Sequence, residues 1–318
     1  MNKTTSVRKT SYMSRTLMLM KRHWIVYLLL APLVIHLILF SYLPMRGLVI
    51  AFQNFSPFLG ISGSRFVGWD NFTNILTGRA APMFWRAFWN TIILSLYGIA
   101  FGFPIPIAIA IMFHELRMGK FRNFSQSVLL LPNFLSTVII AGIAIAFLQP
   151  TTGVINHFLV GIGLIDTGIY FLTRPEYFRG IFTFIGIWGG AGFSSLIYLA
   201  ALTGISSDLY ESASLDGASR LRRIWHISLP GIRPTIVVLF ILAIGGLMGT
   251  DFERALLLQQ PVTFPTSDVL GTFVYRIGIL QNNFSTAAAA GLMNSVIALV
   301  LVVSANYISK KLTETSLF

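Results

Sequence analysis

The chain has 318 residues, of which 55% are hydrophobic, 14% aromatic and only 11% charged. A water-soluble domain carries roughly 25% charged residues, so these polar groups cannot cover the apolar surface of a soluble fold, and the sequence needs lipid. The net charge of +12 sits in the loops between apolar runs, not on a basic, aromatic-interleaved face, so no nucleic-acid partner is expected; the lack of cysteine excludes disulfides, thiolate metal sites and cysteine nucleophiles.

In chain order, a basic tail over 1–23 precedes an apolar run at 24–43. That run is longer than a signal-peptide core and no small-residue cleavage site follows it, so it reads as a retained first span. A helix needs about 20 apolar residues to cross the hydrocarbon core. Five further runs qualify: 91–113, 127–148, 181–202, 232–250 and 287–308. The fifth is the weakest, being short and carrying Gly245, Gly246 and Gly249. Shorter apolar stretches at 153–165 and 268–280 read as interfacial or re-entrant.

Lysine and arginine set the orientation. Fourteen fall in the tail 1–23, the loops 114–126 and 203–231 and the tail 309–318, against eight in the alternate loops, with Arg233 on a span border. Cytoplasmic loops carry the excess, so both tails are expected in the cytoplasm. The expected class is an all-α, multi-pass integral membrane protein with about six transmembrane helices in one domain over 24–308.

His36 is the one residue within these spans that titrates near neutral pH, Arg233 at its border aside, and none of the spans holds Asp or Glu. Proton-coupled carriers usually place carboxylates or histidines at that depth. A lone His36 is expected to hydrogen-bond a neighbouring helix, and the energy for any uphill transport to enter from outside the bilayer. No phosphate-binding G-x-x-x-x-G-K-[ST] occurs, nor a metalloprotease or serine-hydrolase motif, so no catalytic or metal residue is expected.

The spans do carry helix-weakening residues: Pro104 and Pro106 in the second, Pro132 in the third, and Gly186, Gly189, Gly190 and Gly192 in the fourth. Such residues are tolerated where helices pack closely or line a cavity. Asn133, Ser136, Thr137, Trp188, Ser194, Ser195, Tyr198 and Asn294 are the candidate pathway residues, and as a set they suit a neutral or hydroxyl-rich solute better than an ion channel. Arg254 and Arg276 are candidates for the outer mouth, where an acidic solute favours cations; the alternative is pairing with Asp251, Glu253 or Asp268.

The most informative loop is 203–231. Asp208 is a candidate N-cap, with Glu211 three residues on as its capping-box partner. Ser212, Ala213 and Gly217 are small and allow close approach, Arg220 to Ile227 forms a second amphipathic stretch, and Pro230 is the expected stop. Helices this short are marginal alone and suit docking into a partner; an interfacial helix on lipid headgroups is the alternative.

The spacing of Glu211, Ala213, Gly217, Ile227, Leu229 and Pro230 resembles the cytoplasmic "EAA" signature of permeases from binding-protein-dependent ABC importers. Ser212 stands where that signature usually has alanine. Phe66 to Phe72, Asn90 with Thr91, and Gly153 to Asn156 resemble outer-loop and span-entry segments of the carbohydrate-importing branch. Trp188 to Ser195, Phe252 to Leu258 and Thr272 to Gly278 resemble its oligo- and polysaccharide subgroup, down to the larger permease of an alginate-type importer.

The resemblance implies a type I ABC importer permease in a bacterial inner membrane. It implies a second, related permease chain, two ATPase subunits holding ATP and Mg, and a soluble solute-binding protein, with no cofactor on this chain. Asp208, Glu211, Ser212, Ala213, Gly217, Arg220, Ile227, Leu229 and Pro230 would then form the coupling region. A secondary sugar transporter or facilitator without ATP coupling is the alternative.

Overall fold

The apolar runs fold into four long helices and two sharply bent helix pairs, four to six membrane crossings by length and composition. The computed structural model describes residues 21–116 and 119–313. Most of the basic tail, including Lys3, Arg8, Lys9 and Arg15, as well as Arg117 and residues 314–318, lies outside the described residues.

Helix α1 (Trp24–Phe52) is nine residues longer than expected: it passes through a π turn at Ile38–Tyr42 into a 3₁₀ segment at Leu43–Phe52. It is apolar all round and buries no residue from Trp24 to Tyr42, the pattern of a helix solvated by lipid. His36 is exposed on it, its ring 4.9 Å from that of Phe40 on the same helix. A two-residue ribbon, β1 (Gln53–Asn54) antiparallel to β2 (Arg65–Phe66), leads to α2 (Asp70–Leu76). Helix α3 (Ala81–Glu115) is the longest, interrupted by a π turn at Gly98–Gly102.

The expected continuous span over 127–148 is not formed. Helices α4 (Gly119–Phe134) and α5 (Thr137–Leu148) meet at 101°. The cause is local: Pro132 starts a 3₁₀ turn, Leu135 and Ser136 are extended, and the Ser136 hydroxyl caps α5 by accepting from the Ile139 N–H at 3.3 Å. After α6 (Val154–Gly161) comes the unbroken α7 (Pro175–Thr203). Two short helices, α8 (Ser207–Leu215) and α9 (Arg220–Gly231), precede α10 (Arg233–Met248), which bends 62° from α9. Then follow α11 (Phe252–Leu258), α12 (Leu270–Leu280) and α13 (Phe284–Thr313).

Three apolar clusters stack along the bundle. Phe113, Leu199, Leu202 and Ile232 close the end that carries α8 and α9. Leu94, Phe178, Phe182, Ala255 and Leu258 lodge α11 against α3 and α7 in the second, and Ile75, Phe84, Phe273 and Ala290 pack the third. At the end opposite α8, the N-terminal halves of α3 and α7 meet the segment before α12. Asn90 Nδ2 donates to the carbonyls of Phe264, Pro265 and Asp268 at 3.1–3.4 Å, and Thr91 Oγ1 accepts from the Leu270 N–H at 2.9 Å. The segment resembling an outer loop at Gly153 to Asn156 is held by Asn156. Its amide donates to the carbonyls of Leu148, Gln149 and Ile169 and accepts from the Ile169 N–H.

The glycine-rich end of α10 frays into a 3₁₀ turn at Gly246–Met248, and other helices satisfy its freed carbonyls. Ser95 Oγ donates to Leu247 O at 2.6 Å and Asn294 Nδ2 to Met248 O at 3.2 Å. This is how a membrane helix tolerates a break.

Candidate functional site

Two regions answer to the candidate residues. The first is the α8–α9 loop. Its N-cap is Ser206, whose hydroxyl accepts from the Asp208 N–H at 3.3 Å. Asp208 therefore lies in the first turn rather than at the cap, where its charge complements the helix dipole. At the other end Gly217 adopts φ +76°, the Ala218 N–H reaches Ala213 O at 2.9 Å, and the Gly217 N–H reaches Ser214 O at 3.1 Å. That pair of bonds is a Schellman stop, which favours glycine at the left-handed position. Pro230 does not end α9. It sits in the first turn of a short helical segment (Leu229–Gly231) that follows a π turn, and the bend falls at Ile232. Gly231 packs tightly on Ile205: a Cβ there would stand 2.5 Å from Ile205 Cδ1, so that side chain would have to move.

The loop is pinned to the bundle by one face only. Tyr210 Oη lies 3.0 Å from Ser228 Oγ, its ring packs 5.5 Å from that of His114, and Arg223 hydrogen-bonds Ser214. The other face is bare: Leu215 is 90% exposed, Leu221 70% and Trp225 67%. Glu211, Ser212, Gly217, Arg220 and Pro230 are exposed too, with Ala213, Ile227 and Leu229 half-buried. A Cβ added to Gly217 would meet nothing within 4 Å, so the space beside it is open.

The second region is a cavity of about 240 Å³ between α3, α7 and α11. Gly98, Gly102 and Pro106 line it from α3, and Gly186, Gly190 and Ser194 from α7. Each triplet has i, i+4, i+8 spacing, which puts it on one helical face. Such faces usually let helices touch, yet a Cβ at Gly98 or Gly190 would meet nothing within 4 Å, so here the stripes border space. The π turn at Gly98–Gly102 falls at this level, as irregular turns do where a helix lines a cavity.

Arg254, on α11, reaches into this cavity. Its guanidinium carbon stands 4.1 Å above the Phe182 ring, and its nearest carboxylate, Asp251, is 3.6 Å away, beyond hydrogen-bond length. Arg276 is placed differently. It closes on buried Asp268 at 2.9 and 2.6 Å, with Arg86 adding a contact at 3.3 Å, so it takes the pairing alternative.

The remaining candidates divide. Ser194 lines the cavity, whereas Trp188 lines a separate apolar groove of about 550 Å³ with Phe147 and Phe184. Ser195 is buried and donates to Gly192 O at 2.6 Å, Tyr198 is buried beside Phe103, and Asn294 ties α13 to α10. Asn133, Ser136 and Thr137 sit at the bend between α4 and α5, exposed or half-buried. Gly98, Gly102 and Phe182 escaped the sequence reading. The shared i, i+4, i+8 face with Pro106 was the signal for the two glycines.

Long apolar helices around a polar cavity, with an exposed short-helix loop at one end, define a multi-pass membrane transport subunit. Residues 102–314 match the family described as binding-protein-dependent transport system inner membrane component, and the chain belongs to it. It is 39% identical over 293 residues to the polygalacturonan/rhamnogalacturonan transport system permease protein YteP of Bacillus subtilis (strain 168), covering 92% of this chain and 90% of that one. Protein LplB of the same organism is 38% identical over 94% of this chain and 92% of its own length. Among solved structures, a chain of a bacterial ABC transporter involved in the import of the acidic polysaccharide alginate matches with a TM-score of 0.86 at 42% identity. The match covers 94% of this chain and 99% of that one. The ABC permease expected from the loop signature is thereby established, and with it the type I importer permease fold.

Proposed function

We propose that this chain forms one half of the membrane pathway of an ATP-driven importer for an acidic oligo- or polysaccharide. The observation that carries the reading is the α8–α9 loop, whose small and apolar residues are exposed on the side away from the bundle. In this reading the loop 206–228 docks into a cleft of a separate ATPase subunit, with Asp208, Glu211, Ser212, Ala213, Gly217 and Arg220 at the joint. Ile227, Leu229 and Pro230 carry the movement to α10.

Two ATPase subunits hold the ATP and Mg, a second, related permease chain completes the pathway, and a soluble receptor delivers solute at the opposite face. The tails 1–23 and 309–318 and the loop 203–231 lie in the cytoplasm, the domain 24–308 in a bacterial inner membrane. ATP can switch the pathway only if the ATPase grips the loop with different affinity in the two states. The substrate class follows the relatives: one transports polygalacturonan and rhamnogalacturonan, and one solved relative belongs to an alginate importer seen with an alginate pentasaccharide-bound periplasmic protein.

The test is reconstitution of the complete complex with its receptor in liposomes and a saccharide screen for ATPase stimulation. Acidic oligomers should stimulate hydrolysis and be taken up with it. Uptake by this chain without ATP or receptor would instead support a facilitator.

A further inference from the structure

We infer that Arg254 is the residue with which this half of the pathway reads a carboxylate of the passing solute, in the cavity between α3, α7 and α11. The inference rests on the acidic-saccharide reading above and adds a site to it.

Three other arginines packed near this end of the bundle are occupied. Arg276 gives two hydrogen bonds to Asp268, Arg86 gives one to the same carboxylate, and Arg179 gives one to Asn90 Oδ1 at 3.2 Å. Arg254 differs: no hydrogen bond joins its guanidinium to any described residue, and its Nε, like those of Arg86 and Arg179, is buried without a partner. Asp251 Oδ2 faces it at 3.6 Å, an ion pair outside hydrogen-bond length, while Asp251 Oδ1 accepts from the Arg254 backbone N–H at 3.0 Å. A guanidinium has five N–H donors in a rigid fork, and a largely buried one lacking acceptors is costly unless something enters to satisfy it. A carboxylate is the group that matches the fork, two oxygens to two nitrogens.

The surroundings fix the fork's plane. Phe182 lies beneath it, and on α7 Gly186 leaves room for the guanidinium: a Cβ there would stand 2.8 Å from Arg254 Cζ and the arginine would have to shift. The cavity itself has room for about eight waters at ~30 Å³ each. It is polar on this side, with the Ser194 hydroxyl on its lining. Arg254 over Phe182 is thus a cation held ready, where Arg276 is a cation already spent on folding.

The test uses the complete complex with its receptor, reconstituted in liposomes, and a trimeric uronate oligosaccharide as probe. Uptake per ATP hydrolysed is measured for wild type, Arg254→Gln and Arg254→Lys, with recovery of the intact complex as the folding control. The expected result is a loss of about tenfold or more in Arg254→Gln, entering chiefly through KM, and partial recovery in Arg254→Lys, which restores the charge without the fork. Gly98→Leu, which fills the cavity from the opposite wall without touching Arg254, should lose uptake as well. Uptake by Arg254→Gln within about twofold of wild type, no rescue by lysine in an intact complex, or normal uptake by Gly98→Leu would each overturn the inference. A wild-type complex that imports a neutral trisaccharide and no uronate would refute the acidic-substrate reading itself, a distinct outcome.

Discussion

Arg276 holds Asp268 by two hydrogen bonds, 2.9 Å from Nη1 to Oδ1 and 2.6 Å from Nη2 to Oδ2, and Asp268 is fully buried. The same carboxylate accepts from Thr272 Oγ1 at 2.9 Å, and the Asp268 carbonyl accepts from Asn90. Breaking a buried pair leaves an uncompensated charge and costs about 3–5 kcal/mol. Arg86 remains within 3.3 Å, which places Arg276→Gln toward the lower end of that range. The variant should unfold at lower temperature in detergent and be recovered in lower yield. Its uptake per recovered complex should keep wild-type salt dependence. A normal melting temperature together with altered salt dependence would return Arg276 to the solute mouth.

Gly186 and Gly190 lie one helical turn apart on α7, yet they should respond differently to alanine. A methyl at Gly186 collides with the Arg254 guanidinium, whereas one at Gly190 meets nothing within 4 Å. Misplacing a binding group by an ångström can cost about a hundredfold, so Gly186→Ala should cut uptake by roughly tenfold to a hundredfold while the complex still assembles. Gly190→Ala should stay within about twofold. Equal effects from both would show that Gly186 serves helix packing alone.

The orientation can be read by labelling, because the chain has no cysteine of its own. Ser64 is unsuitable for this, being buried and hydrogen-bonded to Gly60 O at 2.6 Å, but Ser62 two residues earlier is exposed. A cysteine at Ser62 should react with an impermeant maleimide only from outside, and one at Ser219 only from inside. Reversal at either position contradicts the assigned topology.

Asn156 ties three carbonyls and one N–H of the segment 148–169. Asn156→Leu orphans all four groups at about 1–3 kcal/mol for each that water cannot reach. The segment should then exchange its amide hydrogens faster while α3 and α7 keep their protection. Unchanged exchange there would mean the loop is held by other contacts.

What the sequence made legible was set by length and composition. The long apolar runs at 24–43, 91–113, 181–202 and 287–308 each lie within one long helix, two of them carrying π turns, because about 20 apolar residues dictate a span whatever it packs against. Breaks are tertiary. The bend at Pro132 needed Ser136 to cap the next helix, and two plausible caps, Ser206 and Asp208, compete within three residues. Trp188 was grouped with the pathway by proximity in sequence, but two residues along a helix is a turn of 200°, which sends it to the opposite face from Gly186 and Gly190. The depth of Arg254 was invisible, because a short apolar helix between spans reads as a loop until its neighbours are known. The loop signature was legible as a family mark from its spacing, though Asp208 and Pro230 take other places in the helices than expected.

The account stands on the claim that the α8–α9 loop transmits ATP hydrolysis, and one measurement on the reconstituted complex reaches it most directly: receptor-stimulated ATPase activity with uptake in Gly217→Leu, beside Gly217→Asn. The space around Gly217 is open to a Cβ, but its left-handed φ of +76° strains leucine, whereas asparagine tolerates it. A docking joint predicts that Gly217→Leu inserts and binds the receptor, loses the ATPase subunits more readily, and loses stimulated hydrolysis and uptake together. Gly217→Asn should retain most of both. Near-normal, fully coupled transport by Gly217→Leu would contradict the account.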